Sequence, residues 1–132
     1  MSAAGVLIKH KSSVLLAKRA EKHNGYKISF GGFWSFFLGS KEPPEEPSII
    51  CAIRELYEEA GIKLTCGEVK FLKTYYNSSS IIDVFYADLD FLPDVSLNFE
   101  HTEYGWFSID SIDRFPYDID PMVVNSIENL PN

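Results

Sequence analysis

The most informative segment of the chain reads Pro47-Ser-Ile-Ile-Cys-Ala-Ile-Arg-Glu-Leu-Tyr-Glu-Glu-Ala-Gly61. Proline suits the first turn of a helix, and glycine suits the position where a helix ends. Between them, apolar residues recur at the three- and four-residue spacing of an amphipathic helix, at Ile49, Ala52, Ile53, Leu56 and Ala60. The pattern predicts a helix over residues 47–60 that buries this apolar stripe and stops at Gly61.

Three glutamates give the predicted helix its chemical character. Glu55, Glu58 and Glu59 are three and four residues apart, so their carboxylates project together, nearly opposite the apolar stripe. Like charges at this spacing repel, and Arg54 pairs with Glu58 at a distance of four residues but offsets only part of the repulsion. Mg²⁺ or Mn²⁺ suits the remainder, because these ions bind carboxylates together with water and phosphate oxygens. A solvated acidic helix surface is the alternative interpretation.

The segments on both sides of this helix favour β-strands. Apolar, β-branched and aromatic residues predict strands at residues 3–9, 13–18, 33–38, 63–76, 81–92 and 104–107. Segments that contain glycine or proline predict two loops, one at residues 20–32 and one at residues 39–46. The first loop includes a short extended piece at 26–30. Asp120 and Pro121 predict the start of a terminal helix that runs to Leu130. The pattern indicates the α/β class, as an α/β/α sandwich around a mixed sheet.

Length and composition exclude several classes of protein. The chain has 132 residues, 45% of them hydrophobic and 14% aromatic, which suits one globular domain over residues 1–132 rather than a disordered or coiled-coil chain. Its longest apolar runs are far shorter than the roughly 20 residues of a membrane-spanning helix. With only Cys51 and Cys66 and no secretory signal at the first residues, we expect a reduced, cytoplasmic protein without a zinc site.

The charge is distributed unevenly along the chain. The net charge is −7, yet residues 1–30 carry six basic side chains and one acidic side chain, and the remainder is strongly acidic. An acidic chain is disfavoured as a general nucleic-acid partner, since such binding needs a basic surface that neutralises phosphates. A small nucleotide needs only a few local cations and a metal ion, so it remains a suitable partner.

Residues 39–62 resemble the Nudix box. Glu46 is followed by seven residues and then by Arg54-Glu55-Leu56-Tyr57-Glu58-Glu59-Ala60-Gly61-Ile62, which matches this half of the box at every fixed position. In the other half, Ser40 stands where the family has glycine, and Gly39 is one residue further away. Residues 4–19, Phe33-Trp34 and 103–107 also resemble flanking segments of the family. The chain is identified as a member of the MutT-like Nudix hydrolases.

The resemblance implies an activity and roles for the box residues. It implies Mg²⁺-dependent hydrolysis of the phosphoanhydride of a nucleoside diphosphate linked to another group, with Glu55, Glu58 and Glu59 as metal ligands. Arg54 would orient a glutamate, most plausibly Glu58. Glu46 would brace the loop onto the helix or reach a metal ion through water. The general base would be a box glutamate or a later acidic residue, for which Glu103 is the first candidate and Glu100 the second.

Other residues are candidates for contact with the substrate. Lys18 and Arg19 are predicted to contact phosphates, although solvated cations at a strand end are the alternative. Gly39 and Ser40 are predicted to lie at the substrate, where serine in the place of glycine weakens the loop or is harmless. His101 is close in sequence to Glu103 and is a further candidate for the site. The aromatic residues at 33–37 either stack on a base or belong to the core.

The substrate is left open by the sequence. A nucleoside triphosphate or related free nucleotide is weakly favoured, because the chain is short and has no appended domain. An ADP-sugar hydrolase, an RNA 5′-end hydrolase and a catalytically weak nucleotide-binding module are the alternatives. The intact glutamates favour an enzyme over a pure binding module, and a monomer and a homodimer both remain open.

Overall fold

The computed structural model describes residues 2–131, which form nine β-strands, two α-helices and two short 3-10 helices. The strands are β1 (Ser2–His10), β2 (Ser13–Arg19), β3 (Lys22–His23), β4 (Tyr26–Lys27), β5 (Trp34–Ser35), β6 (Phe37–Ser40), β7 (Lys70–Tyr76), β8 (Ile81–Asp88) and β9 (His101–Ser108). The helices are α1 (Ser48–Ala60) and α2 (Pro121–Glu128), and the 3-10 helices are Cys66–Glu68 and Ile109–Arg114.

Seven of the strands form one mixed sheet with β1 near its centre. Strand β1 runs parallel to β8 from the Ser2–Ile81 pair to the Lys9–Asp88 pair, and its first half also pairs antiparallel with β6. The end of β1 pairs with β2, which continues antiparallel to β5 and β9. Strand β7 pairs antiparallel with β8. Strands β3 and β4 form a separate two-stranded hairpin.

Two apolar clusters cover the two faces of the sheet. Alternate side chains of a strand point to opposite faces, and β2 shows this directly. Leu15 and Ala17 pack in the cluster that contains α1, whereas Val14 and Leu16 pack in the cluster that contains α2. The α/β/α sandwich around a mixed sheet is confirmed, and we call the two sides the α1 face and the α2 face.

Both predicted helices are confirmed. Helix α1 spans Ser48–Ala60, and Gly61 ends it in the left-handed conformation at φ 70°, which glycine adopts without steric cost. Helix α2 begins at Pro121, and the side chain of its N-cap residue Asp120 accepts a hydrogen bond from the backbone N–H of Met122. It ends at Glu128, two residues before the predicted end.

Several strand boundaries differ from the predictions. Residues 63–69 are not a strand, because Thr65 and Glu68 form a capping box around the 3-10 helix and the strand begins at Lys70. The predicted strand over 33–38 is divided into β5 and β6. Strand β8 ends at Asp88 rather than at residue 92, and β9 begins at His101 rather than at residue 104.

The predicted loop over residues 20–32 contains a hairpin. Asn24 and Gly25 have positive φ values of 51° and 81° between β3 and β4. An Asn-Gly pair with positive φ at both residues is typical of a two-residue hairpin turn. The Asn-Gly signal is present in the sequence, but only a loop with an extended piece at 26–30 was predicted there, and both short strands are exposed. Within residues 2–131, no helix has the length and apolar character needed to cross a bilayer.

Candidate active site

Helix α1 buries a different set of residues from the predicted stripe. Ala52, Leu56 and Ala60 are buried as expected, but Ile49 and Ile53 are only partly buried. Cys51, Glu55 and Glu59 are buried as well, whereas Glu58 is exposed. The prediction that all three glutamates project away from the buried side is therefore wrong. Other segments of the chain pack against α1 on two sides. Of the three glutamates, only Glu58 is exposed to solvent.

The segment before β9 lies against the end of α1, beside Glu59. Backbone N–H groups of Ser96 and Asn98 donate to the last carbonyls of α1, at Ala60 and Glu59, over 2.8 and 3.2 Å. The final carbonyls of a helix have no partner within the helix, so these bonds satisfy them and fix the segment against α1. The contact joins residues about 40 positions apart and has no local signal in the sequence.

Arg54 is the centre of a network of ion pairs on α1. Its Nε and Nη2 donate to both carboxylate oxygens of Glu46 over 3.0 and 2.9 Å. Its Nη1 donates to Glu55 over 3.1 Å and to both oxygens of Glu58 over 3.0 Å. Nη2 also donates to the carbonyl of Ser40 over 3.1 Å. One guanidinium thus joins the loop before α1 to two glutamates of the helix.

Glu46 is the loop residue that this network holds most tightly. It is buried, and it accepts hydrogen bonds from Arg54 and from the backbone N–H of Glu42. The hydrogen bonds from Arg54 are the main reason that the pKa of Glu46 falls to about 2, and the same bonds raise the pKa of Arg54. Glu46 therefore braces the loop onto the helix, in agreement with the role that the sequence predicted for it.

Gly39 and Ser40 both lie against α1. A Cβ atom on Gly39 would overlap the carboxyl group of Glu55, and the Gly39 carbonyl accepts a hydrogen bond from the Cys51 thiol. Ser40 does not have the positive φ that would require glycine, and its carbonyl accepts from Arg54. The Glu55 carboxyl group therefore lies so close to position 39 that only glycine fits there without displacing it. Serine at position 40 introduces no conformational strain.

We expect Gly39→Ala to lower turnover about 10- to 100-fold with only a small loss of stability. The added methyl group displaces the end of a side chain rather than backbone, so the chain can adapt, but the Glu55 carboxylate moves from its place. Steady-state kinetics and thermal unfolding measure the two effects. Gly67→Ala is the matched control, because a Cβ there meets only Thr65 Oγ1, at 3.9 Å. Unchanged turnover in Gly39→Ala would contradict a role for the position of Glu55.

Glu59 and His101 form a buried polar pair. Both side chains are fully buried, and Glu59 Oε1 lies 3.7 Å from His101 Nδ1, beyond hydrogen-bond distance. Neither ring nitrogen of His101 has a hydrogen-bond partner, and no backbone group or basic side chain donates to the two oxygens of Glu59, whose side-chain neighbour is the carboxyl group of Glu55. Each unsatisfied buried polar atom costs about 1–3 kcal/mol. Burial is the main cause that raises the pKa of Glu59 to about 10 and lowers the pKa of His101 to about 4, so neither side chain is charged at neutral pH without a bound cation.

Glu100 and Arg19 extend the charged cluster around α1. Burial, and then the negative charge of Glu55, raises the pKa of the half-buried Glu100, while Arg19 opposes this shift. Arg19 acts on Glu59 in the same direction. The backbone N–H of Ala20 donates to the Glu100 carbonyl over 2.8 Å, which fixes Glu100 beside β2. The structure therefore brings Arg19 and Glu100 to the box glutamates.

Lys18 and Glu103 lie on the other side of the sheet. They are opposite one another in the pairing of β2 with β9, and directly paired residues share a face. Lys18 also pairs with Trp34, which packs on the α2 face. The register shifts at Arg19, which pairs with His101 on the α1 face. Glu103 is exposed and does not join the glutamates of α1, in contrast to the sequence-based expectation.

A cavity of about 480 Å³ opens on the α2 face beside Lys18, within the size range of small-molecule sites. The exposed ring of Tyr117 stacks on the buried ring of Trp34, with centroids 5.6 Å apart and planes at 20°. The cavity is lined by Lys18, Glu21, Gly31, Gly32, Trp34, Pro116, Tyr117 and Asp118. No local pattern in the sequence singles out Tyr117 or Asp118, since they lie more than 80 residues from Trp34 and only the fold joins them.

The donor set around α1 fits a hard divalent cation. The two oxygens of Glu59 accept no hydrogen bond from the backbone or from a basic side chain, and Glu55 and Glu100 contribute further negative charge beside them. Carboxylate oxygens are the ligands that Mg²⁺ and Mn²⁺ favour. Among residues 2–131, no three His, Cys, Asp or Glu side chains have the arrangement of a preformed metal site. Arg54 holds Glu55 and Glu58, while Glu59 points into the protein.

Comparisons with solved structures find the same fold. MutT NUDIX hydrolase from Burkholderia pseudomallei is 21% identical, with 98% of this chain and 97% of that chain covered and a TM-score of 0.76. The NUDIX domain of Shewanella oneidensis NrtR, solved with ADP ribose, is 16% identical, with 97% and 86% covered and a TM-score of 0.73. A C. elegans Ap4A hydrolase is 22% identical, with 97% and 93% covered and a TM-score of 0.67. A comparison with curated proteins found no match.

The family is shown by the sequence itself. A family model described as the NUDIX domain matches residues 1–125, which is nearly the whole chain. Enzymes of this family generally use a divalent metal ion, and the glutamates around α1 have the donor atoms for one. The chain belongs to the Nudix family and is a hydrolase of phosphorus-containing acid anhydrides.

Proposed function

We propose that this enzyme hydrolyses the phosphoanhydride of a nucleoside diphosphate linked to another group, with a nucleoside triphosphate or related free nucleotide as its favoured substrate. Glu55, Glu58 and Glu59 would hold Mg²⁺ or Mn²⁺. The observation that carries the proposal is the fully buried Glu59 carboxyl group, which lies against the carboxyl group of Glu55 with Glu100 nearby and has no basic side chain within hydrogen-bond distance. A protein without a cation to bind gains nothing from such a costly arrangement.

Each residue of the cluster has a separate task in this proposal. A bound divalent ion supplies neutralisation of the negative charge that develops on the phosphate oxygens. Arg54 holds the carboxylates of Glu55 and Glu58 in place through its hydrogen bonds. These carboxylates would bind the ion as well as Arg54. Arg19 faces the same cluster and would offset the charge of a substrate phosphate.

Glu100 is the candidate general base that the geometry supports. A base must lie within reach of the attacking water, and it works best when its pKa is raised toward the working pH. The pKa of Glu100 is raised by burial and by the charges of Glu55 and Glu58, so it belongs to the same electrostatic cluster. Glu103 lies on the α2 face, away from this cluster, and it and a box glutamate are the other candidates from the sequence.

The cavity with the Trp34 and Tyr117 rings is the proposed site for the nucleoside. Flat rings and a few polar groups suit a nucleobase. Lys18 lines the cavity and its neighbour Arg19 faces the glutamates, so in this proposal the nucleotide would extend past these two residues from the α2 face to the α1 face. Small ligands appear among the structural neighbours as well, since the NrtR domain was solved with ADP ribose.

We expect Tyr117→Ala to raise KM for the nucleotide about fivefold while kcat changes less than about twofold. Loss of one stacked ring removes about 1 kcal/mol of binding that the ground state and the transition state share. Steady-state kinetics with the best substrate measure both constants. Tyr76→Ala is the matched control, because Tyr76 is also an exposed tyrosine and lies outside the cavity. An unchanged KM in Tyr117→Ala would remove the base from this cavity.

A nucleotide panel with Mg²⁺ or with EDTA tests the proposed function. Nucleoside triphosphates, ADP ribose, diadenosine tetraphosphate and RNA with a 5′-triphosphate are incubated with the enzyme, and phosphate and pyrophosphate release are measured. We expect release with Mg²⁺ and none with EDTA, and the highest rate with a nucleoside triphosphate. A higher rate with ADP ribose or RNA would reassign the substrate. Tight nucleotide binding by calorimetry without any release would support the binding-module alternative.

The same proposal treats residues 1–132 as one domain that works in the cytoplasm on a free nucleotide. Cys51 is buried and Cys66 is exposed, and both are free thiols. Burial is the main cause that raises the pKa of Cys51 to about 11, so its thiol is unreactive. Two free thiols suit a reducing compartment. Size-exclusion chromatography with light scattering distinguishes the monomer from the homodimer.

A further inference from the structure

His101 is a buried titratable side chain that the proposed function does not use. Its imidazole is fully buried, and neither ring nitrogen has a hydrogen-bond partner. The nearest polar atom is Oε1 of Glu59, at 3.7 Å from Nδ1. Nearly all buried polar side-chain atoms in folded proteins are hydrogen-bonded. A fully buried imidazole with neither nitrogen satisfied, facing a buried carboxyl group, therefore needs an explanation.

The backbone around His101 holds its ring beside Glu59. His101 pairs with Arg19 across β2 and β9, and the edge of its ring packs on Phe37 with centroids 5.0 Å apart. The backbone N–H of His101 donates to the backbone carbonyl of Asn98 over 3.4 Å. The backbone N–H of Asn98 in turn donates to the backbone carbonyl of Glu59 over 3.2 Å. The imidazole and the Glu59 carboxyl group are thus anchored to one another through a short stretch of backbone. The Nδ1 to Oε1 distance of 3.7 Å exceeds a hydrogen bond by only a few tenths of an ångström.

We propose that His101 is a positioning residue, whose Nδ1–H donates a hydrogen bond to Oε1 of Glu59 and holds that carboxylate in place for a divalent cation. The inference rests on the proposed function, because it assumes that Glu59 is a ligand. A carboxylate that binds a cation through one oxygen is fixed in orientation when its other oxygen accepts a hydrogen bond. Among residues 2–131, His101 is the one basic side chain within 4 Å of the Glu59 carboxyl group.

Mn²⁺ binding to the full chain tests the role of His101 without a substrate. His101→Phe keeps the ring and its volume but removes both nitrogens, and His101→Asn keeps a donor close to the position of Nδ1. We expect the phenylalanine variant to bind Mn²⁺ about 10- to 100-fold more weakly than the wild-type chain, by electron paramagnetic resonance or calorimetry. We expect the asparagine variant to stay within about threefold of the wild type.

Stability in EDTA provides the readout that separates positioning from packing. Because phenylalanine replaces two unsatisfied nitrogens with apolar atoms, we expect the melting temperature of His101→Phe without metal to equal or exceed that of the wild type. If this variant binds Mn²⁺ as tightly as the wild type, the inference is overturned. Equal weakening in the asparagine and phenylalanine variants would also overturn it and would favour Nε2 as a direct ligand.

A measurement on the unmodified protein covers the case in which the phenylalanine variant does not fold. In ¹H–¹⁵N spectra of the histidine rings, we expect saturation with Mg²⁺ to produce a solvent-protected Nδ1–H signal from His101. No change in that ring with Mg²⁺ bound would overturn the inference. If the wild-type chain binds no Mn²⁺ at all, the proposed metal site fails and the inference fails with it. If the wild-type chain binds Mn²⁺ but the His101 ring and its substitutions have no effect on that binding, only the inference about His101 is overturned.

Discussion

Glu59→Gln is expected to lower Mg²⁺-dependent turnover at least about 100-fold and to leave the protein folded. Glutamine has the shape of glutamic acid but cannot become an anion, so the proposed ligand is lost. The buried carboxyl group has its pKa raised to about 10 and is therefore protonated at neutral pH before a cation binds. A neutral amide in its place changes the free energy of unfolding by less than about 1 kcal/mol.

Two measurements on Glu59→Gln separate the loss of chemistry from a loss of structure. Phosphate release is measured with Mg²⁺, and thermal unfolding is measured with and without Mg²⁺. We expect Mg²⁺ to raise the melting temperature of the wild type and to have no such effect on the variant. Glu45→Gln is the matched control, since Glu45 is exposed in the loop before α1. Turnover close to that of the wild type in Glu59→Gln would remove Glu59 from the metal site.

Arg54→Met is expected to destabilise the fold by about 3 kcal/mol. Removal of the guanidinium leaves the buried Glu46 carboxylate without its partner and releases Glu55 and Glu58 to repel one another. Breaking a fully buried ion pair costs about 3–5 kcal/mol, and the side chain of Arg54 is 28% exposed, which places the effect at the lower end. For a chain of this length, the melting temperature falls by roughly 10 °C.

We expect a second substitution, at Glu46, to restore part of the stability that Arg54→Met loses. Arg54→Met combined with Glu46→Gln removes the unpaired buried charge, so we expect the double variant to recover a large part of the lost stability at pH 7. Chemical denaturation measures the free energies of the two variants. Arg114→Met is the control, because Arg114 is an exposed arginine at the end of a 3-10 helix and we expect a change within about 0.5 kcal/mol. If Arg54→Met is as stable as this control, the network does not hold the loop.

The parts of the fold that local chemistry determines were predictable from the sequence. Helix α1 ends at Gly61 because glycine adopts the left-handed conformation there, and α2 begins after Asp120 because its side chain caps the first turn. Both signals lie within a few residues of the boundary. The alternation of apolar residues likewise predicted the strands that pack on both faces. The start of β7 was not predicted, because the Thr65 capping box interrupts an otherwise strand-like run.

The arrangement of the site was predictable only in part. The pairing of Arg54 with Glu58 follows from helical spacing, and the structure has it. The burial of Glu59 could not be predicted from spacing, because the segment over 96–101 that lies against the end of the helix is about 40 residues away in the chain. The face to which Glu103 points depends on strand alternation combined with a register shift at Arg19, and neither is visible in a count of residues. Contacts between distant segments decide both cases.

The parallel pairing of β1 with β8 has a consequence for the order of assembly. The two strands are about 80 residues apart in the chain, and six consecutive residues of β1 are buried. During synthesis, β1 emerges from the ribosome long before β8 is made. The apolar side chains of β1 therefore stay exposed until β8 can pair with it. Long-range strand pairing of this kind slows folding and exposes nascent chains to self-association. We therefore expect the yield of native protein in a cell-free translation reaction to depend on added chaperones.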